Sequence, residues 1–155
     1  MKKAILFIGL PGSGKSTYIS ENIQGYQIVD ADRIKITHPN WDPRNPHLVH
    51  DWSVAQAELE MIRLSDLGVN ICMDSGGVNN RYSLRILNML KSKGYYVEII
   101  HMNTPLEICL ERNSKRKRKV PEENIIEKSK MIDICVERQK KLADNYKRID
   151  YENVI

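Results

Sequence analysis

An unbroken apolar run, Ala4–Gly9, stands near the start of the chain. A run this short and continuous, closed by glycine, predicts a strand covered on both faces. The pattern then changes period. Lys15–Gln24 predicts a helix, and Gln27–Asp30 a short strand. Thr37–His47 contains Pro39, Pro43 and Pro46, which lack an N–H donor and so predict a loop. In Leu48–Leu67 the residues Val54, Ala57, Met61 and Leu64 fall on one helical face, and Gly68 stops that helix. Val69–Met73 predicts a strand, Asn79–Lys93 a helix ended by Gly94, and Tyr95–Met102 another strand. Pro105–Arg112 begins a further helix. Pro121 opens a long helix expected to reach about Tyr146, with the last residues returning as a strand.

Strands that alternate with helices predict a parallel sheet covered by helices on both faces. Ligands in such folds sit at the carboxyl ends of the strands. The 155 residues suit a single domain, 1–155, without repeats or linkers. The 41% hydrophobic content is enough to fill its core. No apolar run approaches the roughly 20 residues of a membrane span, so no membrane partner is expected.

Charge changes the picture more than composition does. The net charge is +4, yet Arg112, Lys115, Arg116, Lys117, Arg118 and Lys119 all fall within eight residues. The rest of the chain is therefore net negative, and the basic run predicts an anionic ligand at that segment. Cys72, Cys109 and Cys135 are scattered, with no metal spacing. They point to reduced thiols and a cytoplasmic protein, or the host cytoplasm for a phage-encoded chain.

The central motif is Gly9-Leu10-Pro11-Gly12-Ser13-Gly14-Lys15-Ser16, a full G-x-x-x-x-G-K-[ST] phosphate loop between strand and helix. Gly9, Pro11, Gly12, Ser13 and Gly14 would let backbone N–H groups converge on phosphate oxygens. The next helix presents its positive end to them. Lys15 would reach the outer phosphates, the Ser16 hydroxyl would ligate Mg²⁺, and Thr17 would anchor the loop. The motif predicts binding of Mg²⁺ with ATP or GTP. It fixes the fold class as α/β, a P-loop NTPase-type three-layer αβα sandwich with a mostly parallel sheet.

Asp30-Ala31-Asp32-Arg33-Ile34-Lys35 follows the second strand, beside the expected phosphate loop. A kinase needs a carboxylate there to orient the acceptor hydroxyl and take its proton. Asp32 is the candidate, with Lys35 one helical turn on. Either Asp30 or Asp32 could instead cap the following helix. Asp74, at the end of the third strand, is a candidate to hold a Mg²⁺-bound water or the acceptor, and Arg81 to face the acceptor.

The phosphate loop followed by Asp-x-Asp-x-x-Lys resembles the P-loop kinases that include bacteriophage 5′-polynucleotide kinase and the zeta-toxin kinases. In both, the carboxylate matching Asp32 is the general base. Lys35 stands where the polynucleotide kinases usually carry arginine. A second resemblance lies in Arg112-Asn113-Ser114-Lys115-Arg116, with Val120-Pro121 beyond. It is similar to the polynucleotide-kinase lid, which places the lid at about 112–121. The resemblance implies that Arg116 contacts ATP phosphates and supports the transition state, with Arg112 in the nucleotide site. Lys35–Asp42, the stretch to His50 and Leu64-Ser65-Asp66-Leu67-Gly68 resemble the zeta-toxin kinases instead.

These readings imply an ATP-dependent kinase of a polynucleotide or nucleotide 5′-hydroxyl, with Lys15, Asp32 and Arg116 catalytic and ATP and Mg²⁺ as cofactors. A kinase of a nucleotide sugar or other small molecule, and a non-catalytic ATP-dependent nucleic-acid binder, are the alternatives. Trp41 is open between base stacking and packing. His38, His47 and His50 lack zinc spacing, so no structural metal is expected. The self-repelling basic run predicts a mobile flap that closes over ATP. Oligomeric state is left open.

Overall fold

In a computed structural model, which describes residues 1–152, the apolar run forms the central strand β1 (Lys3–Ile8). Its alternate residues feed two separate cores, the period-2 consequence of a strand covered on both faces. Ala4, Leu6 and Ile8 join one cluster, and Ile5 and Phe7 the other. The sheet adds β2 (Gln27–Asp30), β3 (Ile71–Asp74), β4 (Tyr96–Asn103) and β5 (Asn145–Asp150) in the order β2-β3-β1-β4-β5. All pairings are parallel.

The helices are α1 (Lys15–Asn22), α2 (Ala31–Ile36), α3 (His50–Leu67), α4 (Asn80–Ser92), α5 (Leu106–Ser114) and α6 (Glu122–Lys140), with a 3₁₀ turn at Pro46–Val49. The face with Leu6 and Ile8 buries Met61 and Leu64 from α3 and Leu87 and Leu90 from α4. The face with Phe7 buries Ile19 from α1 together with Ile100 and Met102. A third cluster, Leu10, Cys109 and Ile125, ties the phosphate loop to α5 and α6.

Register places the functional ends. Asp30 lies directly opposite Asp74, and both follow strands that run parallel to β1. The carboxyl ends of β1, β2 and β3 therefore gather the phosphate loop and two aspartates at one edge.

One expectation needs correction. The last helix ends at Lys140 rather than near Tyr146, and Tyr146 lies in β5. Asp144 causes the change: its N–H donates to the Val97 carbonyl (2.9 Å), and its carboxylate accepts from the Val97 N–H (2.8 Å) and from Lys91. The chain is thus pulled off the helix onto the edge of β4. Arg112 and Asn113, at the start of the segment 112–121, belong to the last turns of α5. The expected strand return after Tyr146 is met by Asn145–Asp150, and residues 153–155 lie outside the described residues.

Candidate active site

The phosphate loop turns tightly between β1 and α1. Ser13 N–H donates to the Leu10 carbonyl at 3.0 Å, and Gly9 N–H donates to the Gly76 carbonyl at 3.1 Å. Gly12 is required sterically: φ is +83°, and a Cβ there would lie 2.9 Å from the Cys109 carbonyl of α5. Thr104 Oγ1 fixes the loop from the other side by donating to the Ser13 carbonyl at 2.8 Å.

The Lys15 ammonium turns into this loop and donates to the carbonyls of Gly9 (2.9 Å) and Leu10 (3.0 Å). Burial lowers its pKa from 10.5 to about 8, against the opposing pull of the Asp74 carboxylate. Lys128 and Arg116 add like-charge repulsion. A phosphate anion in the loop would relieve that penalty.

Ser16 Oγ donates to Asp74 Oδ2 at 3.0 Å, bringing together the two groups expected at the metal. Asp30 stands beside them, its carboxyl pKa raised by burial and by the neighbouring Asp74 charge. A hydroxyl and two crowded carboxylates are hard oxygen donors that suit Mg²⁺. The repulsion between Asp30 and Asp74 is what a divalent cation would neutralise.

The geometry resolves the choice between the two aspartates after β2. Asp30 Oδ1 accepts the Asp32 N–H at 2.9 Å, so Asp30 is the cap of α2. Asp32 is free of that task, with a side chain 71% exposed. Its carboxylate lies 3.6 Å from Lys35 Nζ, whose side chain is only 10% exposed. Lys35 also approaches His50 Nδ1 at 3.3 Å. Burial and then the Lys35 charge lower the His50 pKa, so the imidazole is neutral at pH 7. Lys128 of α6 faces the same group: burial lowers its pKa, Asp32 opposes the shift and Lys35 reinforces it.

On the nucleotide side, a cleft of about 420 Å³ is lined by Gly12, Ser13, Gly14, Thr17, Arg112 and Arg116, with Ile149–Glu152 forming its far wall. Arg112 Nη1 donates to the Gly12 carbonyl at 3.0 Å, and its guanidinium lies 5.6 Å from the Tyr151 ring centroid. Arg118 lies over Trp41, 5.2 Å from the centroid. His38 packs edge-on to Trp52. Arg81 is exposed on the first turn of α4, outside this cluster of contacts.

Sequence reasoning missed Lys128, Thr104 and Tyr151 as parts of the site and weighed His50 by itself only as a metal ligand. Lys128 lies in the polar stretch Glu127-Lys128-Ser129-Lys130, which reads as a solvated helix face. Only the packing of α6 brings it to Asp32. Thr104 and Tyr151 follow β4 and β5, whose approach to the loop depends on strand order.

A family model described as "AAA domain" matches residues 5–131. A zeta toxin of Enterococcus hirae is 34% identical over 66% of this chain and 40% of its own length. A putative bifunctional polynucleotide kinase/RNA ligase of Autographa californica nuclear polyhedrosis virus is 25% identical over 77% of this chain and 19% of its own. The chain thus spans about two fifths, or less, of the length of these relatives. A solved structure from the PezAT chromosomal toxin–antitoxin system of Streptococcus pneumoniae superposes with a TM-score of 0.78. It is 18% identical and covers 99% of this chain and 70% of that one. The fold is therefore the α/β P-loop kinase fold expected from the sequence.

Proposed function

The chain belongs to the AAA domain family of P-loop proteins, and from that premise we propose that it transfers the γ-phosphate of ATP to a hydroxyl of a nucleotide-type acceptor. The observation that carries this reading is the division of labour after β2: Asp30 caps the helix and leaves Asp32 exposed beside Lys35. An exposed carboxylate beside the phosphate loop supports a kinase over a non-catalytic nucleotide binder.

In this reading Lys15 leaves the carbonyls of Gly9 and Leu10 for the β- and γ-phosphate oxygens. Ser16, and Asp74 directly or through a bound water, would hold a magnesium ion, which would supply neutralising charge to those oxygens. Asp32 accepts the proton of the acceptor hydroxyl as its oxygen bonds to the γ-phosphorus. The bond from that phosphorus to the β-phosphate oxygen breaks, and ADP leaves. Arg116 places positive charge on the migrating group, where it acts chiefly in the transition state. Lys35 and Lys128 favour an acceptor that carries a phosphate of its own, and the basic loop 115–119 favours a polyanion.

The resemblance of Arg112–Pro121 to the polynucleotide-kinase lid makes the 5′-hydroxyl of a polynucleotide or nucleotide the leading acceptor. A nucleotide sugar is the second reading, supported by the 34% identity to zeta toxin and by the resemblance of Lys35–Asp42 to the zeta-toxin kinases. The test is incubation with γ-labelled ATP and a panel of 5′-hydroxyl DNA and RNA, mononucleotides and UDP-sugars. Label in an oligonucleotide supports the leading reading, and label confined to UDP-sugars supports the second. ATP binding without label in any acceptor removes both.

A further inference from the structure

The basic run is anchored at its base in a way its sequence does not announce. Asn113 is 3% exposed, among the few polar side chains in the core. Its Nδ2 donates to the Val120 carbonyl at 2.7 Å, and its Oδ1 accepts the Val120 N–H at 2.9 Å. Both halves of the amide are thus satisfied by the backbone of one residue seven positions on. The segment enclosed is Ser114–Lys119, in which all five residues of Lys115–Lys119 are basic.

Five adjacent like charges favour an expanded loop. A buried amide bonded twice opposes that expansion, because opening would leave polar groups in an apolar pocket unpaired. Leu10, Cys109 and Ile125 pack nearby, with Val120 against them, so the anchor is part of the same cluster that holds the phosphate loop. The loop emerges from this base with Arg116 lining the nucleotide cleft and Arg118 over Trp41.

We propose that Asn113 is a positioning residue: its paired bonds to Val120 close the basic loop into a clasp and hold Arg116 over the phosphate loop. The proposal rests on the kinase reading for what Arg116 does there, and on geometry alone for the clasp. The run is then an ordered loop with a fixed base rather than a flap hinged at Arg112. Asn113 touches neither ATP nor acceptor, and it acts through Arg116.

Amide exchange in the wild-type protein tests the clasp without any variant or activity. The Val120 N–H, in an irregular segment beside a lysine, should exchange at least 100-fold more slowly than an unstructured amide. Exchange at the unstructured rate overturns the proposal, whether or not the protein proves to be a kinase. The functional half is tested with Asn113→Ala, Arg116→Ala and the double variant, compared at a temperature where all are folded by circular dichroism. N113A should speed tryptic cleavage at Lys115–Lys119 about tenfold. It should lower kcat by 10- to 100-fold, with KM for ATP changed less than threefold. In the R116A background, adding N113A should cost less than a further twofold in kcat, since its target is gone. Equal losses in both backgrounds would show that Asn113 only supports the fold, and would overturn its positioning role. Absence of phosphoryl transfer in the wild type refutes the kinase reading and, with it, the role of Asn113 in catalysis. Slow exchange at Val120 would still support the clasp in that case, because exchange does not depend on turnover.

Discussion

Lys15 should lower the stability of the ligand-free protein, and Lys15→Met should raise it. The native ammonium sits among the carbonyls of Gly9 and Leu10, where burial drops its pKa from 10.5 to about 8. At roughly 1.36 kcal/mol for each pH unit, that drop disfavours the charged native form by about 3 kcal/mol. Methionine keeps most of the stem and removes the charge, but it forfeits the two carbonyl bonds, worth about 1 kcal/mol or more each. The net gain expected at pH 7 is about 1–2 kcal/mol. The sign with pH follows from linkage. Below pH 8 the lysine is protonated in both native and unfolded chains, and the penalty is complete. Between pH 8 and 10.5 the unfolded chain binds more protons, so wild-type stability rises relative to the variant. Urea denaturation at pH 7, 8.5 and 10 should show the advantage of Lys15→Met shrinking steadily. Mg·ATP at a hundredfold excess over its Kd should stabilise only the wild type, by roughly 2.7 kcal/mol, and reverse the order. A variant less stable than wild type at pH 7 without nucleotide, or an advantage that does not change with pH, would refute the argument.

Asp32→Asn should lower kcat by about 10²–10⁴-fold with little change in ATP affinity, measured by steady-state kinetics and calorimetry. Loss of ATP binding with acceptor binding intact would make Asp32 a nucleotide ligand. His50 is neutral at pH 7 beside Lys35, Lys128, Asp32 and Asp51, its pKa held down by burial and by Lys35. As pH falls, protonation of His50 should break its contact with Lys35 and add positive charge. The KM for a phosphate-bearing acceptor should therefore fall relative to that of His50→Gln between pH 7 and 5.5. Parallel profiles for the two proteins would exclude the effect. Gly77→Ala should destabilise by about 2–4 kcal/mol in urea, since φ is +68° and a Cβ would lie 2.7 Å from Ile8 Cγ1 and 2.9 Å from the Phe7 carbonyl. A loss under 1 kcal/mol would show that β1 yields easily there.

The elements legible in the sequence are those whose information is local. The apolar run of β1, the glycines of the phosphate loop and Gly68 after α3 each declare their structure within a few residues. The exposed edge strand does not. Asn145–Asp150 buries no residue fully and shows no alternating apolar face, so nothing separates it by periodicity from the end of a polar helix. Its place is set by Asp144 docking on Val97, a contact 47 residues apart in the chain. The same distinction holds in the site. Ser16 and Asp74 are recognisable by their positions after strands and do meet. Which of Asp30 and Asp32 caps α2 depends on backbone geometry at one residue, and the approach of Lys128 depends on how α6 crosses the sheet.

The two halves of the site are built differently, and this bears on where acceptor choice resides. Nucleotide-side groups are held mainly through backbone: Lys15, Thr104 and Arg112 all bond carbonyls of residues 9–13. Changing one of those side chains alters the loop itself, so this half leaves little room for variation. The groups proposed to face the acceptor are instead supplied as side chains by three helices, with Asp32 and Lys35 on α2, His50 on α3 and Lys128 on α6. Each can be exchanged without disturbing the phosphate loop. Loop 115–119 reaches both halves, with Arg116 at the cleft and Arg118 over Trp41 of the proline-rich loop. On the proposed reading, a change of acceptor would call for substitutions in residues 32–50, at Lys128 and in loop 115–119, while the phosphate loop stays fixed. The similarity of this chain both to a zeta toxin and to a polynucleotide kinase/RNA ligase fits that separation. If it holds, exchanging residues 37–49 for a zeta-toxin segment should alter KM among acceptors while the Kd for ATP stays within about threefold. A comparable loss of ATP affinity would mean that the two halves are coupled through the Arg118–Trp41 contact.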